Sequence, residues 1–171
     1  PLPLPTLHDS SARAPLLALV VFLVISGFFS VAETSMMALN RYRLKHLVKT
    51  GHRGARLTAQ LLARPDRLLG VVLLGNNLIN AASAALVTYL TFRFFGESEL
   101  ALSAATLIVT FVILVFSEIT PKVIGATYPE KIAFPAAFVL TPLLRLAYPI
   151  VWFVNLFVSG LLRLARLKPG M

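Results

Sequence analysis

Three apolar runs, at about 15–39, 68–92 and 100–126, dominate this chain of 171 residues. Each exceeds the roughly 20 residues that an α-helix needs to cross a hydrocarbon layer about 30 Å thick. With 57% apolar and 13% charged residues, the sequence carries more hydrocarbon than one soluble core of this size can hide, so its natural solvent is a bilayer. The opening stretch is rich in Pro and carries Asp9 and Arg13. It lacks the basic n-region and small-residue cleavage site of a signal peptide, so the first run reads as a permanent span. The absence of Cys excludes a disulfide framework and a thiolate metal site.

The net charge of +9 is concentrated between Arg41 and Arg67, between the first two apolar runs. That is the pattern of a cytoplasmic loop rather than of a nucleic-acid surface. The link Gly96, Glu97, Ser98, Glu99 has no Lys or Arg and belongs outside. The reading is therefore a multi-pass protein of the plasma (inner) membrane, with an extracellular segment 1–14, membrane helices within 15–128 and a cytoplasmic C-terminus. Within the basic loop at 41–67, Leu44, Leu47 and Val48 form one apolar stripe and Leu57, Leu61 and Leu62 another. Two short surface helices are expected there, separated by breaks at Gly51 and Gly54, as a headgroup-facing connector or an anionic-lipid contact.

The segment 132–162 is also long and apolar enough to span, but Lys122 and Lys131 precede it and Arg163, Arg166 and Lys168 follow it. A single crossing would leave one positive cluster outside. Pro135, Pro142 and Pro149 interrupt a long helix, and Arg145 sits at its centre, where a lipid-facing charge is penalised. Residues 129–168 are thus expected to form a kinked pair of amphipathic helices along the inner membrane surface, with Tyr148 and Trp152 in the interfacial belt; a fourth span is the alternative. The fold class is all-α integral membrane, with three transmembrane helices and a juxtamembrane belt.

Polar residues inside the spans carry the functional signal. Ser26, Ser30 and Glu33 share one face of the first span, beside Gly27, which lets a neighbour approach closely. Asn76 and Asn80 share a face of the second span with Ser83, and Asn77 lies between them. On the third span Glu118 costs at least about 2.5 kcal/mol to insert, so a partner, a cavity or an ion is expected beside it. Pro121 has no N–H, so in a regular helix the Ser117 carbonyl loses its donor and can bind a cation.

Counting at about 1.5 Å per residue from the cytoplasmic ends puts Ser30, Asn77 and Glu118 roughly 10 to 14 Å deep. Hydroxyl, amide and carboxylate oxygens suit Mg²⁺, Ca²⁺ or Na⁺, whereas no nitrogen or sulfur ligand for softer metals lies in the spans. His8, His46 and His52 fall outside them and read as surface residues. Structural roles compete with the ionic ones. The serines can bond to their own helix, the asparagines can hold helices together, Glu118 can be neutralised by Lys122 at i+4, and Glu33 can pair with a basic-loop Arg. The absence of a paired acid and base, of His near a nucleophile and of a phosphate-cradling glycine loop speaks against an enzyme.

The stretches GFFSVAETS (27–35), GNNLIN (75–80) and SEITPK (117–122), in this order and spacing, resemble the transmembrane domain of the CorC and cyclin M family of magnesium transporters. The resemblance covers about 16–166. It implies three transmembrane helices, a juxtamembrane helical belt, a homodimer within the lipid bilayer and one cation site per subunit. It also implies export of Mg²⁺ driven by Na⁺ entry. The positions matching the family's ion site are Ser26, Ser30, Asn76, Asn80 and Glu118. Asn77 replaces a commoner aliphatic residue, and Glu33 and the Ser117 carbonyl are additional candidates. Family members continue into cytoplasmic CBS domains that bind ATP. None is present up to Met171, so a piece limited to the membrane domain is expected, with no nucleotide regulation of its own.

On this reading Glu118 supplies charge, Ser and Asn oxygens replace water, and Pro121 and Gly125 provide a hinge for alternating access. Mg²⁺ sheds water reluctantly, which favours a slow carrier over a fast channel. The alternatives are a non-transporting membrane cation sensor or scaffold, and a carrier for another cation such as Na⁺, Ca²⁺ or Co²⁺.

Overall fold

Long apolar runs with few breakers become long helices. The computed structural model, which describes residues 10–167, opens with α1 (Ser10–Ala38), whose end is marked by Asn40. The Asn40 side chain accepts from the Tyr42 amide at 2.9 Å and from the Arg43 amide, capping α2 (Arg41–Lys49). Gly51, at φ 88°, makes the left-handed turn that a side chain would strain. His52 then caps α3 (Arg53–Leu62), its Nδ1 accepting from the Ala55 amide at 3.0 Å. His46 is exposed on α2, and His8 lies outside the described residues, as do 1–9 of the expected extracellular segment and Lys168. Helix begins at Ser10, so residues 10–14 are part of α1.

Next come α4 (Pro65–Phe95), with Pro65 in its first turn, and a third long helix over 99–127. That third helix consists of α5 (Glu99–Val112), a π-helical segment (Ile113–Ile119) and α6 (Thr120–Thr127). Finally, α7 (Pro129–Leu164) runs unbroken for 36 residues, about 54 Å at 1.5 Å per residue. There is no strand among the described residues.

Two expectations are corrected. Residues 132–162 form one helix, not a kinked pair. Pro135, Pro142 and Pro149 recur every seven residues, nearly two turns, so their missing donors fall on one exposed side while Ala133, Ala136, Ala137 and Leu140 stay buried on the other. By length and composition four helices can cross a membrane, α7 among them, as the length of 132–162 allows. Gly54 is likewise no chain break. It lies inside α3, where an added Cβ would come 2.9 Å from the Phe134 Cβ, so it is needed for the approach of α3 to α7.

The core sits at the basic-loop end of the bundle. Phe29, Ala32 and Met36 of α1 pack with Leu44 of α2, Leu61 and Leu62 of α3, Leu68 and Val72 of α4, and Phe134 and Leu140 of α7. The short helices therefore build the core as well as connecting spans. Arg43 of α2 and Glu130 of α7 form an ion pair at its edge. The α7 contacts to α4 cluster near its start: Arg67 meets Tyr148, and a Cβ on Gly70 would lie 3.0 Å from Val151. Between Phe134, at α3, and Val151, at Gly70, α7 advances about 25 Å at 1.5 Å per residue. Over that length α7 passes from Gly54 of α3 to Arg67 and Gly70 in the first two turns of α4.

Candidate cation site between α1 and its two neighbours

Helix α1 lies between α4 and the third long helix, with a polar contact on each side. Toward α4, the fully buried Ser26 places its Oγ 2.8 Å from Asn76 Oδ1 and 3.0 Å from Asn80 Oδ1. A hydroxyl has one proton, so it can donate to only one of these carbonyl oxygens at a time. Asn76 Nδ2 donates onward to Ser30 Oγ at 3.4 Å. Spacing of four residues puts the two serines on one stripe of α1 and the two asparagines on one stripe of α4, and these hydrogen bonds bring the stripes face to face. The result is an oxygen-rich cluster in which Asn76 and Asn80 remain half-buried and Ser26 and Ser30 are fully enclosed.

Phe29 fixes the distance between these helices. A Cβ on Gly75, next to Asn76, would fall 2.7 Å from its ring, so glycine permits the approach that joins Ser26 to the asparagines. Asn77 is exposed and faces away from the cluster, and Ser83 is occupied by its own helix, donating to the Ile79 carbonyl at 2.9 Å.

On the opposite side, Ser117 Oγ donates to the Leu23 carbonyl at 3.0 Å. A Cβ on Gly27 would meet the Phe116 carbonyl oxygen at 3.4 Å and Pro121 Cγ at 3.6 Å. The third helix therefore touches α1 at the turn that carries Ser26. The π-helical segment alters the backbone arithmetic there. The Thr120 amide bonds to the Val115 carbonyl, five residues back, and the same step from Pro121 reaches Phe116. Pro121 cannot donate, so the π-helical step removes a donor from the Phe116 carbonyl as the α-helical step does from that of Ser117. The Phe116 carbonyl faces α1 at Gly27.

Glu118 is not joined to the Ser and Asn cluster by any hydrogen bond. Its Oε2 lies 3.4 Å from Lys122 Nζ, with the Glu118 side chain 28% exposed. Glu33 is half-buried and makes no hydrogen bond or ion pair among the described residues. No group of three or more His, Asp or Glu within reach of one metal occurs among the described residues, so a cation held here has at most two such ligands and relies otherwise on neutral oxygens. The structure thus brings together Ser26, Ser30, Asn76 and Asn80, places Glu118 on the adjoining helix against Lys122, and leaves Asn77 outside. Sequence reasoning missed the Ser117 hydroxyl and the Phe116 carbonyl. Pro121 directly after a charged residue in an apolar run was the available signal for irregular backbone.

A family model described as the cyclin M transmembrane N-terminal domain matches residues 17–170. The UPF0053 inner membrane protein YfjD of Escherichia coli (strain K12) is 48% identical over 144 residues, covering 84% of this chain and 33% of that protein. A UPF0053 protein of Haemophilus influenzae is 42% identical over 153 residues, 90% of this chain and 36% of that protein. A more distant protein of the same species, named polyamine export protein, is 26% identical over 164 residues, 90% of this chain and 38% of its own length. The chain spans about a third of the length of the curated relatives it matches.

Proposed function

This chain belongs to the cyclin M transmembrane N-terminal domain family, and from that premise we propose that it is the transport domain of a divalent-cation carrier that exports Mg²⁺ in exchange for Na⁺ by alternating access. The observation that carries the proposal is the meeting of Ser26 with both Asn76 and Asn80 inside an apolar bundle. Hydroxyl and amide oxygens are hard donors of the kind Mg²⁺ and Na⁺ accept. Two carbonyl oxygens converging on one hydroxyl are more acceptors than its proton serves.

Glu118 supplies the negative charge that neutral ligands lack. Its partner Lys122 is more than half exposed, free to swing toward water and release the carboxylate to an arriving cation. Outward release then returns Glu118 to Lys122, which restores charge balance in the empty carrier. The Phe116 carbonyl beside Gly27 and that of Ser117, both robbed of a donor by Pro121, are further ligands when the third helix moves. Pro121 and Gly125 are the hinge of that movement.

In this reading the α1, α4 and α5–α6 helices are the three spans, and α7, the fourth helix long enough to cross, serves instead as the surface belt because of Arg145 and the basic residues on both its flanks. By the charge rule the basic loop is cytoplasmic and the N-terminus outside, in the inner membrane. The functional unit is a homodimer, with ATP acting only through CBS domains outside this sequence. The name of the polyamine-exporting relative supports a second cargo, because the ammonium groups of a polyamine also bond to amide and carboxylate oxygens.

Thermal stability of the purified protein titrated with Mg²⁺, Na⁺, Ca²⁺, Mn²⁺ and spermidine tests the assignment. A Mg²⁺-dependent shift that Glu118→Gln removes, together with loss of Mg²⁺ flux in proteoliposomes, is the expected result. A shift with spermidine alone selects the second cargo. No shift with any cation reduces the cluster to helix packing.

A further inference from the structure

Beyond the transport site, a cavity of about 620 Å³ lies between α3, the first turns of α4 and the middle of α7. Arg64, Arg67 and Arg145 line it, and no carboxylate does. Arg145 is the only charged residue between Lys131 and Arg163, in a stretch that is apolar but for Thr141, Asn155 and Ser159. A guanidinium in such a helix costs free energy unless it meets an anion, and the cavity brings it to two more guanidiniums instead.

Arg67 is held in place. Its guanidinium carbon lies 4.5 Å from the Tyr148 ring centroid, and its Nη2 donates to the Tyr148 hydroxyl at 3.4 Å. The remaining donors of all three planar forks match the paired oxygens of a phosphate. Val71, Leu144 and Val151 supply an apolar wall on the same cavity. Its place in the fold fixes the kind of anion. Arg64 and Arg67 flank the start of α4, a helix long enough to cross the membrane, so they sit at the depth where an apolar span gives way to headgroups. Past Val151 the exposed side chains Phe153, Leu156 and Phe157 continue away from the cavity as a surface that hydrocarbon can cover.

We propose that this cavity binds the phosphate headgroup of an anionic phospholipid, with the phosphodiester among Arg64, Arg67 and Arg145 and an acyl chain against the apolar wall. The bound lipid fills the space between α3, the start of α4 and the middle of α7, and so fastens α7 to them.

Native mass spectrometry of the intact protein, loaded with phosphatidylglycerol or phosphatidylcholine, reads this directly. Phosphatidylglycerol is expected to stay bound at activation energies that strip phosphatidylcholine. Arg145→Gln, at an exposed position, is expected to weaken its retention about fivefold, the contribution of one basic side chain near a membrane surface, and Arg145→Lys less. Arg67→Gln provides a second reading from α4. Equal retention of the two lipids, or retention unchanged in both Gln variants, overturns the proposal. Inorganic phosphate giving the same thermal stabilisation as phosphatidylglycerol also overturns it, since the site then takes a free anion. The Mg²⁺-dependent shift is expected to persist in Arg145→Gln, which keeps a failure here distinct from a failure of the transport assignment.

Discussion

The hydroxyl of Ser117 reaches across 94 positions of sequence to donate to the Leu23 carbonyl at 3.0 Å, fixing the π-helical segment against α1. Leu23 sits one turn before Ser26 and Gly27, so this bond sets the depth at which the third helix meets the donor cluster. Hydrogen bonds between helices in lipid average about 0.6 kcal/mol. Ser117→Ala should therefore lower the melting temperature by only a few degrees in detergent. Ser117→Leu should be far worse, because the site is fully enclosed and the larger side chain must force the helices apart. Equal melting temperatures for the two variants would show that the third helix is not seated on α1 in this way.

Gly125 makes a sharper case. A Cβ there would lie 2.8 Å from the Val31 carbonyl oxygen and 3.1 Å from the Ser35 amide nitrogen, both backbone atoms of α1. Backbone cannot rotate aside, so Gly125→Ala should cost about 1–3 kcal/mol and shift α6 outward. Gly160→Ala on α7, where nothing stands within 4 Å, is the matched control and should leave the melting temperature unchanged or slightly raised. The contrast also separates two roles for Gly125. If it served only as a hinge, Ala would slow transport and spare stability.

How much of this was legible beforehand depended on whether the cause was local. The long helices follow from composition alone, spacing of four put Ser26 with Ser30 and Asn76 with Asn80 on one face of their own helices, and the family resemblance joined the two pairs in one site. The Glu118 and Lys122 pair was visible for the same reason. Gly54 was misread because what needs its missing side chain is Phe134, eighty positions away, and no local pattern encodes that. The three prolines of α7 looked like breaks because each alone would end a helix. Their shared side and the buried Ala133, Ala136 and Ala137 opposite keep α7 whole. The π-helical register at Ile113–Ile119 was not legible, because Pro121 signals irregular backbone without saying which residues carry it.

Ser26 is the hub of the cluster, so its loss should be felt by ions more than by the fold. Ser26→Ala removes one hard oxygen and the link that holds two carbonyl oxygens together. A net loss of about 1 kcal/mol, the worth of one hydrogen-bonding group, corresponds to roughly fivefold weaker Mg²⁺ affinity. Isothermal titration or the midpoint of the Mg²⁺-dependent thermal shift measures it, with the metal-free melting temperature as the stability control. A variant with unchanged affinity and a lowered metal-free melting temperature would mark Ser26 as a packing residue.

Lys122 offers a test with the opposite sign. Its Nζ, 3.4 Å from Glu118 Oε2, occupies the carboxylate that the cation needs, so protein cation and transported cation compete. The Lys122 side chain is 52% exposed, and a pair so open to solvent is worth at most about 1 kcal/mol. Lys122→Gln should therefore tighten apparent Mg²⁺ binding by no more than about fivefold at low salt, and less as salt screens the pair. Faster binding need not mean faster transport, because the empty carrier would then return with Glu118 unneutralised. Flux should fall even as affinity rises. The decisive comparison is the double variant: in a Glu118→Gln background, Lys122→Gln should change nothing, since the group it competes for is gone. An equal effect of Lys122→Gln in both backgrounds would mean that the lysine acts by general surface charge, and that Glu118 does not hold the cation.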